Sequence, residues 1–154
     1  MEYRNFNMLR SIAPNIVNED TDWYSDKVIW YGGELEKEFW HVNTVTKLIN
    51  PNKIIGSTHL LSCSNQISWL NYLESLPRMN SFLKMDLNQL INFITCGKEN
   101  HKTCIEINNK YFITSGNHRL TLAKFLNIES VNMEVLIYKH KNEKKLFYFE
   151  NFYL

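Results

Sequence analysis

Residues 111–138, YFITSGNHRLTLAKFLNIESVNMEVLIY, pass from a strand pattern to a helix pattern and back. Residues 111–114 are aromatic or β-branched, which favours a strand, and Gly116 allows a sharp turn. Residues 118–126 carry leucine, alanine and phenylalanine at helical spacing, and Asn127 suits the C-terminal cap. Apolar residues at every second position of 131–138 predict another strand. The stretch therefore predicts a strand, a glycine turn, a helix and a strand.

The glycine turn at Gly116 is also the candidate binding site. The first turn of a helix leaves N–H groups unpaired and carries partial positive charge, so it attracts phosphate or carboxylate. Arg119 adds a planar fork suited to phosphate oxygens, and His118 is a second donor when protonated. Ser115 and Asn117 either cap the helix or contact the ligand. The alternative is a capped helix with an exposed His–Arg pair, because such turns are common and this one is not a Walker loop.

The segment before residue 111 predicts a hairpin that follows a capped helix. A strand over 103–107 precedes Asn108-Asn109-Lys110, and asparagine tolerates positive φ, so a tight hairpin is expected. Residues 86–95 are the clearest helix in the chain, with a capping box that begins at Asp86. Gly97 suits the left-handed residue that ends such a helix.

The remaining elements of the core are a strand over 53–61 and a helix over 67–76 that Pro77 stops. A basic turn over 139–145 and an aromatic strand over 146–154 follow the central stretch. Helices and strands are mixed without regular alternation. The pattern predicts an α+β fold.

The N-terminal third predicts a helical extension that packs on this core. Apolar residues recur at three- and four-residue steps over 34–49, which predicts a helix, and Phe6 and Leu9 indicate a shorter amphipathic one. Asn50-Pro51-Asn52 forms a turn-rich boundary. The predicted units are therefore residues 1–52 and residues 53–154.

Residues 86–138 resemble the core of the ParB/sulfiredoxin-like superfamily. In that superfamily a capped helix ends in glycine, a hairpin follows, and its second strand leads into a Gly-x-[His/Arg]-Arg turn and an alanine- and leucine-rich helix. Here the turn is Gly116-Asn117-His118-Arg119-Leu120, and the flanking elements occur in the matching order. The resemblance covers about a third of the chain and implies a ParB/sulfiredoxin-like fold, a small mixed sheet with packed helices, for residues 53–154.

The resemblance implies that residues 116–119 hold the phosphate of a nucleotide, ATP or CTP with Mg²⁺, or of a phosphorylated small molecule. Sulfiredoxins carry their catalytic cysteine directly before His-Arg, where this chain has Asn117, so sulfinic-acid repair is excluded. Kinases of the superfamily add a catalytic carboxylate near the first strand, but residues 54–66 contain none and the next is Glu74. Nucleotide hydrolysis and phosphotransfer stay open, with no catalytic residue assigned.

Charge and cysteine content restrict the classes of partner. The net charge of +1 divides into −3 over residues 1–50, +1 over 51–100 and +3 over 101–154, which disfavours an extended nucleic-acid surface, although the basic turn is a candidate contact. No run approaches the roughly 18 apolar residues of a membrane span, so no membrane partner is expected. Three cysteines are an odd number, which favours reduced thiols and a cytoplasmic location.

Two other interpretations remain at the sequence level. Cys96, His101 and Cys104, with Cys63, have side chains that bind zinc, but their spacing is not that of a standard zinc motif and no metal site is predicted. The alternative function is a non-catalytic interaction module or a DNA-associated accessory of a phage, plasmid or defence system. The aromatic residues of the N-terminal third would then serve a protein partner instead of the core.

Overall fold

The computed structural model describes residues 3–59, 67–96 and 101–142. These residues form an α+β fold, as predicted, with a mixed sheet of six strands and six α-helices. The strands are β1 (Ile29–Trp30), β2 (Phe39–Ile49), β3 (Ile54–Ser57), β4 (Thr103–Ile107), β5 (Lys110–Ser115) and β6 (Val131–His140). The helices are α1 (Arg4–Ile12), α2 (Gly33–Glu36), α3 (Trp69–Ser75), α4 (Met79–Phe82), α5 (Leu87–Thr95) and α6 (Asn117–Phe125).

The strands lie in the order β1-β3-β5-β4-β6-β2. β5 pairs antiparallel with β4, and β2 pairs antiparallel with β6, whereas the other neighbouring pairs are parallel. Helix α6 connects β5 to β6, which lies on the far side of β4. Because β3 and β5 are parallel, the end of β3 at Ser57 lies beside the end of β5, where α6 begins.

The predicted hairpin is confirmed as β4 and β5. Asn108 and Asn109 both have positive φ, 51° and 63°, which is the backbone that a two-residue primed turn requires. Lys110 already belongs to β5, so the turn contains two residues instead of the expected three.

The predicted helices over 86–95 and 67–76 are confirmed as α5 and α3. At the start of α5, the Gln89 N–H donates to Asp86 Oδ1 at 2.8 Å and the Asp86 N–H donates to Gln89 Oε1 at 3.0 Å, which completes the capping box. Ser68 caps α3, which ends two residues before Pro77. The predicted stop at Gly97 lies outside the described residues.

The helix predicted over 34–49 is wrong. Only Gly33–Glu36 is helical, and residues 39–49 form the edge strand β2. Aromatic and β-branched residues dominate this segment and pack well on a pleated surface. A bulge between His41 and Asn43 shifts the register, so Phe39 and Val45 join the apolar clusters on opposite sheet faces. This change of face produced the apparent helical spacing.

The N-terminal residues are an integral part of the sheet. The short helix predicted from Phe6 and Leu9 is confirmed as α1, and both side chains are buried. β1 and β2, however, pair with strands of the predicted core domain. The expectation of a purely helical extension over residues 1–52 is therefore corrected, because this segment supplies two of the six strands.

One face of the sheet is covered by the helices and the other by a smaller cluster of side chains. The main core lies between the sheet and the helices, with Leu73, Leu90 and Leu120 fully buried. A smaller cluster around Tyr31, Phe112 and neighbouring side chains covers the opposite face. Within the described ranges, no helix has the length and apolar character that crossing a bilayer requires.

Two further predictions concern the ends of elements. The strand expected over 131–138 is β6 and continues to His140, so Lys139 and His140 lie in the strand and not in a turn. The strand expected over 53–61 is β3, with bounds Ile54–Ser57. The predicted strand over 146–154 lies outside the described residues, as do positions 143–145 of the basic turn.

Candidate functional site

The turn between β5 and α6 requires a glycine for two reasons. Gly116 has a φ of 79°, in the left-handed region that side chains disfavour. A Cβ at this position would lie 2.7 Å from the carbonyl oxygen of His101. The turn is therefore packed directly against the chain that enters β4.

Lys102 lies behind this turn and ties it to α5. Its side chain is 1% exposed, and its ammonium donates to the carbonyls of Ile94, Thr95 and Cys96 at 3.1, 3.3 and 3.4 Å. These carbonyls end α5, where a cation is stabilised by the helix dipole. The Gly116 turn therefore packs against a residue whose side chain is bonded to the end of α5.

Asn117 is buried and serves as an internal anchor. Its Oδ1 accepts hydrogen bonds from the Tyr72 hydroxyl and from Ser57 Oγ, the latter at 3.1 Å, and Ser57 Oγ accepts from the His59 N–H at 3.1 Å. Burial raises the pKa of Tyr72 to about 12, against the opposing hydrogen bond with Ser57, so Tyr72 keeps its proton at neutral pH. The first turn of α6 is held by α3 and β3.

The predicted capping role of Ser115 and Asn117 is wrong. The N-cap of α6 is Gly116, and no side chain makes a capping hydrogen bond there. The first N–H of the α6 ladder is that of Leu120, which donates to the Gly116 carbonyl at 2.9 Å. The preceding N–H groups of the turn are those that a helix leaves unpaired at its N-terminus.

His118 and Arg119 are held against an aromatic pair. Phe82 and Phe93 are stacked, with ring centroids 4.9 Å apart. The His118 ring lies 5.1 Å from Phe82, and His118 Nε2 lies 2.6 Å from the Pro77 carbonyl oxygen. The Arg119 guanidinium lies over Phe93 at 4.4 Å, and its buried Nε has no hydrogen-bond partner among the described residues. A buried N–H donor without a partner is rare in folded proteins.

These groups line a cleft of about 640 Å³ at the start of α6, named here the α6 cleft. The structure brings all five predicted residues, Ser115 to Arg119, to it. The described lining includes one arginine and three histidines but no aspartate or glutamate. The other lining residues are His59, Tyr72, Ser75, Leu76, Pro77, Phe82, Phe93, His101 and Thr114.

His59 and His101 are cleft residues that the sequence did not indicate for a phosphate site. His59 is a single histidine in a segment without a motif, and His101 was considered only as a zinc ligand together with Cys96 and Cys104. His59 reaches the cleft because β3 and β5 are parallel neighbours, and His101 because Gly116 packs on its carbonyl. A prediction of the pairing between β3 and β5 would have been needed to find His59.

Glu74, the first carboxylate after the predicted first strand, makes its hydrogen bonds outside the α6 cleft. Its two oxygens accept from the N–H groups of Asn5 and Phe6 at 2.9 and 3.2 Å, at the start of α1. An acidic side chain is stabilised at that end of a helix. Glu74 therefore joins α3 to α1 and is not part of the lining of the α6 cleft.

The cysteine and histidine set does not form a metal centre in the described part of the chain. Cys104 is buried in β4, where burial raises the pKa of its thiol, and Cys96 is exposed after α5. Three or more metal-ligating side chains are nowhere grouped within residues 3–59, 67–96 and 101–142. Cys63 lies outside these ranges.

Comparisons of the chain with protein-family models, with curated proteins and with solved structures found no match.

Proposed function

We propose that the α6 cleft binds a phosphate-bearing ligand, with a nucleotide as the favoured class. The observation that carries the proposal is the buried Nε of Arg119, which lies beside the N-terminus of α6 and has no hydrogen-bond partner in the described part of the chain. A phosphate oxygen would accept from this donor and from the first-turn N–H groups together. The lining contains Arg119 and three histidines but no described carboxylate, which supports an anionic ligand.

The aromatic side of the cleft supports a ligand that is more than inorganic phosphate. Phe82 and Phe93 present apolar surface next to His118 and the guanidinium of Arg119. A nucleobase or another planar group would pack there while the phosphate contacts the turn. The ParB/sulfiredoxin-like resemblance of residues 86–138 supports the same assignment, because the superfamily uses this turn for nucleotide phosphates.

Binding is the part of the proposal that the described residues support most directly. Hydrolysis or phosphotransfer needs a group to position Mg²⁺ or to accept a proton, which is most often a carboxylate. The described lining of the α6 cleft offers histidines for the proton and no carboxylate for the metal. A sensor or an accessory module that is switched by its ligand fits this lining better than an enzyme.

The test is a titration of the protein with ATP, CTP, GTP and ADP, with and without Mg²⁺, by thermal shift and calorimetry. Inorganic phosphate and pyrophosphate distinguish a phosphate site from a nucleotide site. We expect at least one nucleotide to raise Tm, and we expect Arg119→Ala to weaken its binding by roughly tenfold or more, because a charge-assisted hydrogen bond is lost. Arg4→Ala is the matched control, since Arg4 is exposed on α1.

Two results would count against the proposal. The first is the absence of a shift with every phosphate compound at millimolar concentration. The second is equal affinity in the wild type and in Arg119→Ala, which would locate the ligand outside the α6 cleft. Conversion of a nucleotide to product during the titration would instead support hydrolysis or phosphotransfer.

A further inference from the structure

The contact between His118 and Pro77 determines which nitrogen of the imidazole carries the proton. His118 Nε2 lies 2.6 Å from the carbonyl oxygen of Pro77. A carbonyl oxygen only accepts hydrogen bonds, so Nε2 is the protonated nitrogen and donates to it. In the neutral ring the other nitrogen, Nδ1, therefore holds a lone pair. Nδ1 makes no hydrogen bond with the residues that the structure describes.

Nδ1 of His118 belongs to the part of the α6 cleft where the phosphate is proposed to bind. It is bonded to the ring carbon that carries Cβ, so it stays close to the first turn of α6. The N–H groups of this turn and the guanidinium of Arg119 line the same cleft, and Arg119 Nε has no hydrogen-bond partner within the described ranges. An anion held by these donors meets a lone pair when His118 is neutral and an N–H donor when His118 is protonated.

No carboxylate of the described lining competes for protonated His118. Its ring contacts Phe82 of α4, on which Phe93 of α5 stacks, and neither helix contains an ionisable side chain between its first and last residue. The carboxylates of Glu74 and Asp86 accept hydrogen bonds at the starts of α1 and α5. A bound anion would therefore be the counter-ion of protonated His118. The other ionisable groups that line the cleft or adjoin it are His59, Tyr72, Arg78, His101, Lys102 and Arg119.

We infer, on the basis of the proposed function, that the α6 cleft takes up one proton together with its ligand, at Nδ1 of His118, and thereby selects a doubly charged group such as a terminal phosphate. The proton comes from solvent, and no bond of the ligand breaks. Protonated His118 and Arg119 each carry a positive charge, to which the N-terminus of α6 adds about half a charge. A phosphodiester, with a single negative charge, matches this arrangement less well. Binding weakens as pH rises, because deprotonation of His118 removes both a donor and a charge.

The first test observes the imidazole nitrogens of the wild type by long-range ¹H–¹⁵N NMR at about pH 7.5. Sulfate is the probe, because it keeps its double charge throughout the range in which histidine titrates, and sodium chloride holds the ionic strength constant. We expect the Nε2–H tautomer at His118 without sulfate and protons on both nitrogens at saturating sulfate. His41, which is exposed on β2 and lies outside the cleft lining, is the internal reference and should not change.

The second test measures the affinity for sulfate at pH 6 and pH 8 from the shift of Tm. A histidine that titrates near pH 6.5 when free and above pH 8 when bound gives a loss of roughly tenfold over this interval. We expect this loss in the wild type and in the control His41→Gln, and almost no pH dependence in His118→Gln. Glutamine keeps an N–H donor for the Pro77 carbonyl but has no group that titrates. Methyl sulfate, with one charge, should bind several-fold more weakly than sulfate at pH 6.

The results distinguish a failure of proton uptake from a failure of the proposed function. If neither sulfate nor any phosphate compound binds at pH 6, both are wrong. Binding of a nucleotide but not of sulfate, or binding of sulfate without protonation of His118, would overturn the proton uptake alone. An equal pH dependence in the wild type and in His118→Gln would also overturn it, because His59 or His101 would then take up the proton. Equal affinity for sulfate and methyl sulfate would overturn the selection of a doubly charged group. The NMR measurement uses the wild type, so a folding defect in a variant does not decide the outcome.

Discussion

Two glycines, Gly33 and Gly116, have positive φ, but the cost of a side chain at each position also depends on the atoms that surround it. Gly33 has a φ of 58° and Gly116 a φ of 79°. A Cβ on Gly33 would meet only ordinary van der Waals contacts with Trp30, whereas a Cβ on Gly116 would collide with the His101 carbonyl. A side chain would strain the backbone at both positions, but only at Gly116 would its Cβ also collide with a neighbouring backbone atom.

Gly116→Ala should therefore destabilise the protein more than Gly33→Ala. Alanine in the left-handed region costs on the order of 1 kcal/mol at both sites, and the collision at Gly116 adds about another 1–2 kcal/mol. Urea denaturation of both variants measures the difference. Equal losses would mean that the chain at His101 moves away at little cost, and that the turn is less tightly supported than described.

The hydrogen bonds of the Asn117 side chain could not be predicted from the sequence alone. Its position in the turn made it a candidate cap or ligand contact, and both are local roles. Its partners Tyr72 and Ser57 are far away in the sequence and approach only through the packing of α3 and β3. Long-range side-chain bonds of this kind carry no local signal, whereas the glycine at 116 was predictable because its conformational requirement is local.

At the scale of elements, the predictions succeeded where a local chemical signal marked the boundary. Asp86 opens α5 and the Asn108-Asn109 pair closes the hairpin, and both signals act within four residues. β2 lacked such a signal. Its apolar spacing matched a helix because a bulge moves its side chains to the other face, and only pairing with β6 determines the strand.

Glu106 connects three strands through its carboxylate. Lys47 of β2 donates to Glu106 Oε1 at 2.5 Å, and the hydroxyl of Tyr111 in β5 also donates to it. Burial by itself would raise the pKa of Glu106, but the hydrogen bonds from Lys47 and Tyr111 and the nearby lysine charges outweigh burial and lower it. The carboxylate form is therefore favoured by folding.

This shift predicts an acid-dependent contribution to stability. Because the pKa of Glu106 is lower in the folded state, its contribution is present above the ordinary glutamate range, near pH 4.3, and is lost as pH falls through the folded value. Glu106→Gln should cost about 1–2 kcal/mol at pH 7. In urea denaturation the gap between wild type and variant should narrow between pH 5 and pH 3. A constant gap over that interval would contradict the assignment.

At the scale of the whole molecule, the predicted boundary between residues 1–52 and 53–154 does not divide the sheet. β1 and β2 pair with β3 and β6, and Tyr24 and Trp23 pack on Phe125 of α6. The turn predicted at Asn50-Pro51-Asn52 is confirmed, because Pro51–Lys53 forms a short 3-10 helix. A turn signal marks the end of an element and does not say whether the next element joins the same sheet.

Removal of residues 1–50 should consequently abolish cooperative folding. The deletion exposes the paired edge of β6 and the apolar surface that α1 and Tyr24 cover, which a domain of this size is too marginally stable to tolerate. Circular dichroism during urea denaturation tests this expectation. Leu48→Lys is a suitable control, because Leu48 is 66% exposed on β2 and its replacement should leave the transition almost unchanged. A sharp transition in the deleted chain would restore the two-domain interpretation.

The pairing of β2 with β6 also has a consequence for the order of folding. Phe39 lies opposite His140, and Ile49 lies opposite Val131, so these contacts close the longest loops in the sheet. The hairpin of β4 and β5 and the helices near it depend on short loops that close quickly. During synthesis on a ribosome, β2 emerges before β6 and cannot complete its pairing until all of β6 has been made. The newly made edge strand is therefore the segment most exposed to wrong pairing before the sheet is completed.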